Sequence, residues 1–97
     1  MTPSVSLEAE RELIDGALFY DREGNAELGL AFVAEFERAL GLLCDHPRLG
    51  PVWRGTTRRF LLQRFPYGII YQVKPDEIRV IALAHQSRRP EYWRGRK

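Results

Sequence analysis

Near the end of the chain, the stretch ALAHQSRRPEYW (Ala82–Trp93) sets a histidine, two arginines and two large aromatic residues just past an apolar run. Each type brings a defined chemistry. The imidazole of His85 changes charge near neutrality and can serve as a general base; it can equally hydrogen-bond nearby backbone and fix the turn that follows. Arg88 and Arg89 supply planar forks of donors that match phosphates and carboxylates. Tyr92 and Trp93 offer flat rings for stacking bases, anchors for a partner peptide, or a lid over a sheet edge. Arg58, Arg59 and Arg64 lie upstream in a second basic region, and with Arg88, Arg89, Tyr92 and Trp93 they form a candidate surface for an anionic partner. Arg58 has the alternative of bridging an acidic residue on a helix.

The net charge of +2 conceals a division. Residues 1–52 carry four arginines against ten carboxylates, whereas residues 53–97 carry eleven basic side chains against three carboxylates, and nine of those eleven are arginine. An anionic partner for the second half follows from that excess. The single cysteine, Cys44, excludes an internal disulfide and a cysteine-rich zinc site, and its apolar helical setting predicts a buried thiol. His46 precedes Pro47 and suits a helix C-terminus; with Cys44 alone it lacks the ligand count of a metal site, so no metal and no cofactor are expected. No stretch approaches the roughly 20 apolar residues of a membrane helix, and no signal-peptide pattern opens the chain. One cytoplasmic domain over 1–97, with no membrane partner, is the expectation.

The elements that must position these residues are readable from periodicity. Ser6 is a candidate N-cap, and Leu7, Ile14, Ala17, Leu18 and Tyr20 recur at near-helical spacing, with Glu8, Glu12 and Asp15 on other faces. A helix over about 7–22 ended by Gly24 is predicted. Leu28, Phe32, Phe36, Leu40 and Leu43 predict a second over about 25–45, stopped by Pro47, and the short link makes the two a hairpin. After a loop punctuated by Pro47, Gly50, Pro51 and Gly55, the runs RRFLLQRF, YGIIYQV and EIRVIALAH predict a three-stranded meander, the last run being central; PSVS at the start is a candidate fourth strand. The predicted architecture is α+β, an N-terminal helical hairpin packed on one face of a small antiparallel sheet of three to four strands. The other face is expected to be partly open, and Tyr67 and Tyr71 to be core.

A helical hairpin, then HPRLGP, an arginine-led strand, RFPYGIIYQV and EIRVIALAHQSRRPEYW together resemble the RelE/ParE superfamily of bacterial type II toxin–antitoxin toxins, over about residues 7–93. The resemblance implies a growth-inhibiting toxin held inactive by a cognate antitoxin. One branch of the superfamily cleaves ribosome-bound mRNA; the other poisons DNA gyrase. Cleavage through the ribose 2′-OH needs a group to take that proton, cations for the phosphorane and an acid for the leaving oxygen. The nuclease branch places lysines on the strand that here reads Phe60-Leu61-Leu62-Gln63, and an arginine where Gly68 follows Tyr67. Those groups are missing, so the resemblance is more ParE-like. His85, Arg88 and Tyr92 remain as the catalytic candidates of a variant nuclease, and a non-toxic antitoxin-binding module is the third reading.

Overall fold

The computed structural model describes residues 1–97. In chain order it contains β1 (Thr2–Val5), α1 (Leu7–Glu23), α2 (Ala26–Asp45), β2 (Arg58–Leu61), β3 (Tyr67–Val73) and β4 (Glu77–His85). The Ser6 hydroxyl accepts from the Ala9 amide and caps α1, and the Asn25 side chain does the same for α2 through Leu28. Gly24 closes α1 with its N–H on the Tyr20 carbonyl, so the link between the helices shrinks to Gly24 and Asn25. At the far end of α2 the His46 amide donates to the Leu42 carbonyl, and the next residue, Pro47, can no longer continue the helix.

The strands are ordered β1-β4-β3-β2. β2, β3 and β4 form the predicted antiparallel meander, while β1 joins β4 in parallel, making the four-stranded sheet mixed. The chain can place β1 there because α1 leads away immediately after Ser6, whose amide donates to Val80. The helices cover one face. There Phe32 has no exposure and meets Tyr20, Phe65 and Tyr67 at ring centroid separations of 4.8–5.2 Å.

The phase of α1 differs from the periodicity reading. Its buried residues are Ala9 and Gly16, while Leu7, Ile14 and Leu18 are 50–62% exposed. Small residues face inward because the hairpin is tight: a Cβ on Gly16 would lie 2.6 Å from the Phe32 ring. The helix thus keeps an apolar stripe on its outer side, and Glu12 turns toward the sheet. Cys44 is half-buried against the core rather than enclosed.

Tyr71 is fully buried, and its hydroxyl ties the loop after α2 to the sheet by accepting from the Gly50 amide and donating to the Pro47 carbonyl. Glycine is required at position 50, where a Cβ would come within 2.8 Å of the Arg59 carbonyl oxygen, a backbone atom. No helix is long and apolar enough to cross a membrane.

Candidate functional site

A one-residue irregularity in β4 decides which residues share a face. Ile70 pairs with Ala82 but Tyr71 pairs with Val80, leaving Ile81 as an extra residue on β4. Such a bulge reverses the alternation beyond it. Ile78 and Val80 before it, and Leu83 after it, therefore all join the helix-side core. His85 follows Leu83 to that side and packs edge-on to Tyr67 at 5.0 Å. Arg59, paired with Ile70, lies on the opposite face.

That opposite face is not left open. The C-terminal tail folds over it, and Trp93, 7% exposed, forms a second core with Ile70, Ile81 and Ala82, flanked by Trp53 and Tyr92. Trp93 is therefore an internal side chain and presents no stacking surface. The tail is fastened by Glu12 of α1. This carboxylate accepts from the Tyr92 hydroxyl, from Arg96 Nη1 at 2.9 Å and from the Leu83 amide at 3.0 Å. β1 has ended before Leu83, so Glu12 supplies the partner that no strand provides, and Arg96 likewise donates to the neighbouring Ile81 carbonyl. Sequence reasoning missed Glu12, Arg96 and Trp53. The available signal for Glu12 was its spacing, three residues after Ala9 and four before Gly16 on the buried side of the helix.

The structure sorts the remaining candidates. Arg59, Arg88 and Arg89 line one cleft of about 80 Å³, with Trp53, Tyr92 and Trp93 in its walls. Arg59 stacks on Trp53 with its guanidinium carbon 3.5 Å from the ring centroid, and Arg88 lies 4.0 Å over Tyr92. Gly68 makes room for this arrangement, since a Cβ there would come 3.2 Å from the Arg59 side chain. Arg58 is directed elsewhere: it pairs with no acidic helix residue and donates instead to the Gly50 and Arg48 carbonyls, bracing the loop. Arg64 sits apart, beside Asn25, Glu27 and Leu28 at the start of α2.

His85, Arg88 and Tyr92 all border that cleft, but no side-chain hydrogen bond joins them. His85 Nδ1 accepts from the Ser87 amide at 2.9 Å, which puts the proton of a neutral ring on Nε2 and fixes the turn after β4. Tyr92 and His85 share no hydrogen bond, and the tyrosine hydroxyl is committed to Glu12. Burial, and then the adjacent carboxylate, push the Tyr92 hydroxyl far above the ordinary tyrosine range. The phenol is therefore held protonated, facing an anion.

Burial also raises the other three tyrosines, Tyr20, Tyr67 and Tyr71. A folded pKa above the unfolded value near 10 gives stability that is complete below about pH 10 and lost as pH climbs toward the folded value. Alkaline titration should therefore show phenolate absorbance arising together with loss of secondary structure above about pH 10. Free ionisation of all four tyrosines near pH 10 in a folded protein would contradict this.

The chain matches the family model for the ParE toxin of type II toxin–antitoxin systems over residues 4–90. It belongs to the ParE toxin family. The matched span includes both helices and the whole meander, and ends before the Tyr92–Arg96 segment that Glu12 holds. This ParE-family toxin also shares its fold with a solved structure described as a chromosomal ParDE toxin–antitoxin system from P. aeruginosa, with a TM-score of 0.78 and 20% sequence identity, over 88% of this chain and 95% of that one. No match is found among curated protein sequences.

Proposed function

We propose that this toxin arrests growth in the cytoplasm by poisoning DNA gyrase, and that a cognate antitoxin neutralises it. The observation that carries the reading is the Tyr92 hydroxyl, which Glu12 binds and which is therefore withdrawn from proton transfer. The absence of strand lysines and the glycine at position 68 agree with it, because the groups that the nuclease branch places on these strands are missing here. Membership of the ParE family supports gyrase as the target and an antitoxin as the partner. For the antitoxin, the exposed Leu7, Ile14 and Leu18 on α1 offer apolar anchorage.

A paired assay tests the reading: purified toxin on gyrase, scored for supercoiling and trapped DNA breaks, and on translating ribosomes, scored for messenger cleavage. Gyrase inhibition without cleavage is the expected result. Ribosomal cleavage lost in both His85→Ala and Tyr92→Phe, with the fold intact, would replace it by the endoribonuclease. A folded protein inert in both assays and harmless on induction would leave only an antitoxin-binding module.

A further inference from the structure

The cleft holding Arg59, Arg88 and Arg89 has no carboxylate among its lining residues. None of the three guanidinium groups takes part in an ion pair, and Arg88 and Arg89 are exposed. On the same side, Arg54 borders a neighbouring groove with Trp93, where Arg94 is paired with Glu91. The acidic residues Glu8, Glu10, Asp15, Asp21 and Glu23 lie exposed on α1. A domain charged in this way turns its tail-covered sheet face toward a polyanion and its hairpin away.

The aromatic residues decide how such a polyanion is held. Recognition of unpaired bases needs free ring faces on which to stack. Here Trp53 already carries Arg59 at 3.5 Å and Arg54 at 4.8 Å, Tyr92 carries Arg88 and Arg96, and Trp93 is buried. At about 80 Å³ the cleft is also far below the roughly 300–1,000 Å³ of pockets that enclose a small molecule. It has room for a phosphate, not for a base with its sugar. The rings pre-orient the guanidinium groups and leave their N–H edges for anionic oxygens.

From this we infer that the Arg59, Arg88 and Arg89 cleft binds the phosphate backbone of duplex DNA, without reading its sequence. Resting on the gyrase reading above, it places this face of the toxin against the DNA segment that gyrase holds, so the bound species is the enzyme together with its DNA. Three arginines that each neutralise one phosphate give a slope of about −3 in log affinity against log salt.

The test is fluorescence anisotropy of a labelled DNA duplex titrated with toxin over a salt series, with a single-stranded RNA of equal length and an acidic peptide beside it, and the gyrase assay run in parallel. Duplex binding with a slope near −3 is expected, weakened about tenfold in Arg89→Ala with the slope reduced by about 1. Arg22→Ala, on the helical side, should bind like the parent protein. Tighter binding of the RNA or the peptide than of the duplex overturns the inference, as does equal loss in Arg22→Ala, which would indicate general charge alone. Gyrase inhibition that persists in Arg89→Ala without any duplex binding sinks the DNA contact and leaves the gyrase reading standing. Duplex binding of the expected form with no effect on gyrase supports the cleft and removes the gyrase reading instead.

Discussion

Replacing Glu12 by alanine is expected to lower stability by about 3 kcal/mol, because it leaves a largely buried Arg96 guanidinium, the Tyr92 hydroxyl and the Leu83 amide without their acceptor. At roughly 4–8 °C per kcal/mol for a domain of this size, the melting temperature should fall by more than 10 °C. Glu10→Ala, two residues before it and on the exposed side, should stay within about 0.5 kcal/mol of the parent. Chemical denaturation measures both, and amide exchange at Leu83 and along residues 92–96 locates the damage. The effect should be strongly non-additive with Tyr92→Phe, since the two side chains share one hydrogen bond. A Glu12→Ala protein as stable as the Glu10→Ala protein would show that the tail is held by apolar packing alone.

Trp93→Ala is expected to cost about 3–5 kcal/mol, the range for removing a large aromatic side chain from a core. The cavity would open between Ile70, Ile81 and Ala82, and the tail would lose its apolar anchor. Such a variant should lose toxicity because it lacks a stable fold, and Trp93→Phe, which refills part of the space, should recover part of the stability. Unaltered stability combined with lost activity would return Trp93 to the role of a contact residue. This result bears directly on the cleft, since Trp93 lines it together with Arg59, Arg88 and Arg89.

Much was settled by local physics acting along the chain. Ser6 and Asn25 cap helices because a side-chain oxygen in that position meets a free amide, and Pro47 ends α2 because it cannot continue the ladder. The β-branched and aromatic runs became β2, β3 and β4, and the apolar continuity of β4 reflected burial on both faces, one under the helices and one under Trp93. The family was legible for the same reason: its signature residues hold local jobs, such as the Pro47 carbonyl and Gly50 amide that meet the Tyr71 hydroxyl.

Three features needed the tertiary structure. The phase of α1 depended on how closely α2 approaches, so Gly16 turned inward while Leu18 stayed outside, against the hydrophobic pattern. The extra residue Ile81 in β4 turned the His85 ring toward Tyr67 on the helix side, and nothing in the composition of that strand marks where the alternation reverses. The tail was the third: an exposed-looking Tyr92 and Trp93 became internal because Glu12, far away in sequence, sits where β1 leaves the Leu83 amide without a strand partner. Sequence spacing determines which groups can lie on one element. Which groups from different elements meet depends on where each strand ends and how closely each pair packs, and those are properties of the assembled core.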